Sequence, residues 1–222
     1  MDAAKEMFGK FAKGDRGAIH PNIRGSVYAI VLSNGGKEEV CHNCDPLRVE
    51  KFIADYSLQY DIVLNEYRTA KNADERNTAL RSVGRAKDAE LIQRTLSLPL
   101  SDEVKEQDIY LPIGSLRTHQ EGIQALWEWV KVNWDTLVTR LPPGLSMLGS
   151  VVQICTASFT KQEQLDEVAD FFNKRSTKGF DQGLAQSLDS IRAKSLWLQR
   201  DRTDVKDWLE HHGLTDESQQ KL

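Results

Sequence analysis

Three places in this 222-residue chain set chemically useful side chains at short spacing. Cys41-His42-Asn43-Cys44 is a C-x-x-C with a histidine inside it. His119-Gln120-Glu121 opens like the H-E-x-x-H of a metalloprotease helix. His211-His212 places two imidazoles side by side. A structural zinc needs four ligands, usually as two separated pairs, and no second pair accompanies Cys41 and Cys44. A thioredoxin-type site needs a strand-helix-strand setting that the surrounding residues do not supply. The H-E-x-x-H pattern fails at Gln120 and Ile123, and no other copy occurs. His211 and His212 fall in the last turn of an expected helix, where they suit the negative helix end without any metal. G-x-S-x-G, Walker and dinucleotide motifs are absent as well. The expectation is therefore no catalytic residue and no metal ligand in this chain.

Cys155, in "SVVQICTAS", reads as a small buried hydrophobe. Trp127 and Trp134 lie on one apolar stripe and read as core, with Trp129 off that stripe and half exposed. Arg117 stands apart. It precedes an expected helix start, where a cation is mildly unfavourable unless an anion faces it. A peptide carboxylate is one such anion; a solvated surface arginine is the other reading.

The elements that would carry these residues are helices almost throughout. Ala3 to Lys13 repeats Met7, Phe8 and Phe11 at helical period and stops at Gly14. Pro21 opens a segment closed by Asn34-Gly35-Gly36, with Val27 to Leu32 as the one stretch where a strand competes. Tyr60 to Lys71 carries Tyr60, Val63, Leu64 and Tyr67 on one side. Two short helices follow, separated near Gly84 to Asp88. Ser101 is expected to cap a helix that Pro112 interrupts. A single long helix is expected over "EGIQALWEWVKVNWDTLVTRL", striped by Ile123, Leu126, Trp127, Val130, Trp134, Leu137 and Val138. Thr118 and Glu121 would form its capping box and Pro142-Pro143-Gly144 its end. Thr160 and Glu163 repeat the box ahead of Leu165, Val168, Ala169 and Phe172. "DQGLAQSLDSIRAKSLWLQ" and "DVKDWLEHHG" supply the last helical segments. Short loops between such helices predict an all-α fold of stacked antiparallel helical hairpins, a HEAT- or armadillo-like α-solenoid.

Composition agrees with a globular core: 40% of residues are hydrophobic and 28% charged. A formal charge of -4 and the lack of a basic stretch interleaved with aromatics argue against nucleic acid. The longest apolar run, Val27 to Leu32, is far too short to span a membrane, and three cysteines form no disulfide framework. A cytoplasmic location is expected.

"NEYRTAKNADERNTALRSVGRAKDAELIQRTLSL", "QDIYLPIGSLRTHQEGIQALWEWVKVNWDTLVTRLPPG" and "GFDQGLAQSLDSIRAKSLWLQRDRTDVKDWL" resemble the end of a fungal zinc aminopeptidase of the aminopeptidase N / puromycin-sensitive family. "AIHPNIRGSVYAIVL" and "FTKQEQLDEVADFF" belong to the same resemblance. It implies the C-terminal helical domain named after the endoplasmic-reticulum aminopeptidases, over residues 1–210, with 211–222 as a tail. It further implies that the peptide substrate and the zinc belong with an upstream catalytic domain, that this chain is a fragment forming the chamber wall, and that it is inactive by itself. Arg117 is the one residue with a counterpart, an arginine facing the chamber. The alternative is a stand-alone helical module that binds protein without enzymatic activity, and an exposed apolar face near Met1 would suit either.

Residues 40–59 have no place in the resemblance, which runs directly from Glu39 to Tyr60 and joins one amphipathic pattern. The stretch is a whole number of codons. Val40-Cys41 permits a GTATGT donor, Ala54-Asp55 a CTGAC branch point and Gln59 a CAG acceptor. The hypothesis is a translated intron, in which case the C-x-x-C is an accident. Sequencing full-length transcripts across the locus is expected to show messages lacking this stretch. Uniform retention of it, with the protein accumulating, would reject the hypothesis.

Overall fold

A computed structural model describes residues 2–34, 56–141 and 147–212. Among them are eleven α-helices and no strand: α1 (Asp2–Ala12), α2 (Arg24–Ser33), α3 (Tyr56–Thr69), α4 (Ala73–Val83), α5 (Ala89–Ser97), α6 (Tyr110–Leu116), α7 (Gln120–Val132), α8 (Trp134–Arg140), α9 (Met147–Thr156), α10 (Gln162–Asn173) and α11 (Asp181–His211). The chain divides into two compact units, Met1–Cys155 and Thr156–Leu222. Cys41, His42 and Cys44, Pro142-Pro143-Gly144 and the tail from Gly213 lie outside the described residues.

The first unit is organised around α4. This helix packs against α2, α3 and α6 through Ala79, Leu80, Ser82 and Val83, all buried. Its start is fixed by Asn72, whose side-chain oxygen accepts from the Asp74 N–H at 2.8 Å. The following helix, α5, is capped in the same way by Asp88, which accepts from Glu90 and Leu91. Helix α1 ends as its glycine demands. Gly14 has φ +99°, its N–H donates to the Phe11 carbonyl, and the Asp15 N–H donates to Lys10. Those paired bonds close a left-handed helix terminus that a side chain would strain. The rival strand at Val27 to Leu32 is helical within α2, with Val27, Tyr28, Val31 and Leu32 buried. Helix α3 starts at Tyr56, so residues 56–59 form its first turn ahead of Tyr60.

Four sequence expectations are corrected here. No helix starts at Ser101; after Asp108 the chain enters α6, with Pro112 in the first turn, where an absent N–H costs nothing. The carbonyls of Leu100, Ser101 and Val104 instead accept from the Arg140 guanidinium, so they serve tertiary structure. The single long helix is two, α7 and α8, because the Asn133 side chain donates to the Trp129 carbonyl at 2.9 Å and loosens the turn. Trp129 is buried, not half exposed, since α7 packs against both α5 and α6 and its covered arc is wider than one stripe. Conversely, the two last segments form one unbroken 31-residue helix, α11.

In the second unit α10 and α11 form a hairpin closed by Leu165, Val168 and Phe172 against Phe180, Leu184 and Ile191, all buried. Phe172 and Phe180 meet edge to face at 5.8 Å. The box expected at Thr160 and Glu163 is displaced by one residue. The Gln164 side-chain oxygen accepts from the N–H groups of Thr160 and Lys161 at 3.0 and 3.1 Å. No large exposed hydrophobic lies on α1; those of the described residues with the greatest reach into solvent are Val132 and side chains late in α11.

Four charges meet where α2, α3, α4 and the loop after α1 converge, two of them buried (Arg24 and Glu66). Arg16 pairs with Glu66, and Arg24 pairs with Glu75. Arg24 is buried and also donates to the carbonyls of Ile19 and Arg16, while Glu66 is buried on α3. The neighbouring Tyr28 hydroxyl is buried, and its ionisation is pushed up, chiefly by desolvation. Removing one partner strands a buried charge, which costs far more than an exposed pair contributes. Arg16→Met, which leaves the buried Glu66 carboxylate without its ion pair, is expected to lower unfolding stability by about 3 kcal/mol in urea melts. Lys10→Met, which breaks only the exposed pair with Glu6, should leave the midpoint unchanged. Equal effects would refute the assignment.

Candidate functional site

Arg117 sits at a corner built by backbone contact. It is the C-cap of α6, with φ −67° and ψ −5°, three residues ahead of α7. The side chain is exposed and makes no hydrogen bond or ion pair among the described residues. Its position at the negative end of α6 offsets its unfavourable place ahead of α7, so no anion is needed to hold a cation there.

The corner itself depends on His119. The expected Thr118 capping box does not form, because the Thr118 hydroxyl turns back and donates to the Ser115 carbonyl at 2.7 Å. His119 takes the N-cap position. Its Nδ1 accepts from the Gly122 N–H at 3.0 Å, and its Nε2 lies 3.1 Å from the Gly84 carbonyl oxygen. Gly122 can only donate and the Gly84 carbonyl can only accept, so the ring carries its proton on Nε2. A residue that looked like half of a zinc motif is thus a buried link between the α4–α5 loop and the start of α7. The exposed Glu121 carboxylate lies 3.3 Å from Nδ1 on the solvent side.

Two glycines make that link possible. A Cβ on Gly84 would lie 2.3 Å from Ser115 Oγ and 2.6 Å from the Pro112 carbonyl oxygen. A Cβ on Gly122 would lie 2.2 Å from the Leu116 carbonyl oxygen and 2.7 Å from His119 Cε1. Sequence reading took Gly84 as a helix break and gave Gly122 no role, because close approach between distant segments leaves no local pattern.

Cys155 is buried near the same corner. Burial pushes its thiol well above the ordinary range, and the Arg117 charge opposes this only weakly. It is a packed thiol and not a nucleophile. His211 and His212 end α11, where His212 Nδ1 lies 2.8 Å from the Trp208 carbonyl oxygen and the His212 ring stacks on the Trp208 indole at 4.2 Å. Among the described residues no group of three or more His, Cys, Asp or Glu could hold a metal ion. The described residues therefore do not fit zinc.

The geometry defines an all-helical domain that supplies shape and no catalytic constellation among its described residues. A family model for the ERAP1-like C-terminal domain matches residues 1–193, and the chain belongs to that family. It is 44% identical over 211 residues to Aminopeptidase 2, mitochondrial, of Saccharomyces cerevisiae, covering 95% of this chain and 20% of that protein. Aminopeptidase 2 of Candida albicans is 42% identical over 96% of the chain and 21% of its own length. Aminopeptidase N of Mus musculus is 24% identical over 93% of the chain and 20% of its own length. The chain spans about a fifth of the length of these relatives. None of the described helices is long and apolar enough to cross a membrane.

Gly122→Ala is expected to destabilise the first unit by about 3 kcal/mol, since the methyl meets backbone that cannot yield. Gly9→Ala, where nothing lies within 4 Å, should stabilise or be neutral. Thermal melts of the two variants decide it, and a neutral Gly122→Ala would contradict the contact.

Proposed function

We propose that this chain is the C-terminal helical portion of a zinc metalloaminopeptidase that removes N-terminal residues from peptides. The helices form part of the wall of the substrate chamber, while the zinc and the residues that activate water belong to an upstream catalytic domain. The observation that carries this reading is the match to fungal aminopeptidases along almost the whole of this chain. The corner at His119 gives the proposal its chemistry. It fixes the backbone beneath Arg117 while leaving the guanidinium exposed, which suits a group that meets the far carboxylate of a peptide. The same reading puts the enzyme in the cytoplasm, in keeping with three cysteines and no disulfide framework. One relative carries "mitochondrial" in its name, and cell fractionation separates the two locations.

The isolated chain is expected to hydrolyse no aminoacyl anilide, with or without added zinc. Built into a full-length aminopeptidase in place of the matching segment, it should support hydrolysis. Arg117→Ala in that enzyme should raise KM for peptides with a free carboxylate by about threefold to tenfold and leave aminoacyl anilides unchanged. Equal effects on both substrate types would remove Arg117 from peptide binding. Zinc-dependent activity of the isolated chain would overturn the division of labour.

A further inference from the structure

The start of α7 sets two competing partners against one ring nitrogen. His119 Nδ1 lies 3.0 Å from the Gly122 amide nitrogen and 3.3 Å from Glu121 Oε2. The first is a donor and the second an acceptor, so Nδ1 cannot serve both in one protonation state. A neutral ring with its proton on Nε2 accepts from Gly122 and has nothing to offer the carboxylate. A doubly protonated ring donates at both nitrogens. Its Nε2–H stays on the Gly84 carbonyl oxygen at 3.1 Å, its Nδ1–H goes to Glu121, and the Gly122 N–H loses its acceptor. The imidazole is only 5% exposed, so the protein must supply its partners, whereas the Glu121 side chain is 61% exposed and has room to swing.

We infer that His119 is a proton-operated cap, holding the Gly122 N–H while the ring is neutral and exchanging it for the Glu121 carboxylate when the ring is charged. In the neutral state one imidazole ties the first turn of α7 to the loop between α4 and α5. In the charged state the tie to the loop is kept and the tie to α7 is broken. The corner that carries Arg117 is thus fixed to α7 at higher pH and released from it in acid. The device belongs to this chain's own residues and does not depend on the activity proposed above.

Glu121 is suited to the second state. Its carboxyl is held below the usual carboxylate range, first by its own backbone N–H and then by His119, so it is charged wherever a histidine takes up a proton. The cations on the adjoining segments oppose an imidazolium. Arg85 and Lys87 lie in the loop between α4 and α5, where Lys87 also acts on Glu121, and Arg117 ends α6. The positive start of α7 opposes it as well. Asp88, in the same loop, is committed to capping α5, and the Cys155 thiol, pushed up by burial, stays uncharged. Glu121 is accordingly the group that stabilises the charged ring. A serine or asparagine at the cap would hold the α7 amide at every pH.

The test is NMR of the full 222-residue chain from about pH 8 to about pH 5, following the His119 ring nitrogens and the hydrogen-exchange protection of the Gly122 amide. As the ring takes up its second proton, Gly122 is expected to lose protection about fivefold to tenfold, after correction for intrinsic exchange, while Leu80 and Val83 in α4 keep theirs. His119→Asn, which caps without titrating, should make Gly122 protection independent of pH. Glu121→Gln, which removes the acceptor of the charged state, should move the transition to lower pH. If a variant fails to fold, seen as lost protection in α4, the titration of the unaltered chain decides by itself. A ring that gains its second proton while Gly122 stays protected overturns the inference. So does a ring that stays neutral throughout, or a His119→Asn chain whose Gly122 protection still follows pH. Joint loss of protection at Gly122 and α4 overturns it too, because that marks unfolding of the unit and not release of a cap.

Discussion

One imidazole ring joins the segments that define the central corner of the first unit. His119 accepts from the first turn of α7 and reaches the carbonyl that ends α4, while Gly84 and Gly122 keep side-chain atoms out of the two approaches. Each hydrogen bond by itself contributes about 1 kcal/mol, but an orphaned buried ring or carbonyl would cost more than that. The contact is accordingly specified from both sides: a polar ring with two partners, and backbone so close that a methyl group has no room. The packing of α4 on α2, α3 and α6 brings those pieces to one place.

A second constraint lies on the other side of α4. Arg16, Arg24, Glu66 and Glu75 come from the loop after α1 and from three helices, and they hold one another in a cluster whose Arg24 and Glu66 are buried. Such a cluster adds little net stability over an apolar packing, but it tolerates one arrangement only, because any slip leaves a buried charge unpaired. The hydrophobic contacts around α4 hold the helices together, and the charged cluster and the glycine approaches fix their positions. Such rigidity suits the chamber wall proposed above, whose surface must stay in place.

The residues that first suggested chemistry all turned out to be otherwise engaged where the structure describes them. His119 caps a helix, Cys155 is packed, and His211 and His212 close the longest helix. Arg117 has no ion pair among the described residues and stands where α6 ends. The negative end of one helix and the positive start of the next offset each other at that residue. That balance explains how an unpaired cation can stand there without a local penalty.

The all-helical class, the order of the helices and much of the core were legible in sequence, because an amphipathic stripe is a local property of period 3.6. The stops at Gly14 and near Gly84 and the burial of Leu126, Trp127 and Leu137 are of this kind. The absence of any H-E-x-x-H was legible too. Tertiary structure alone decided what depends on a distant partner. It showed that Thr118 yields its cap to His119, that Trp129 is covered from two sides, and that carbonyls near Ser101 serve Arg140 instead of a helix. It also showed that α11 outruns α10 and leaves two tryptophans in water. Periodicity tells a residue which way to face along its own helix. Only the packed chain determines whether anything stands opposite.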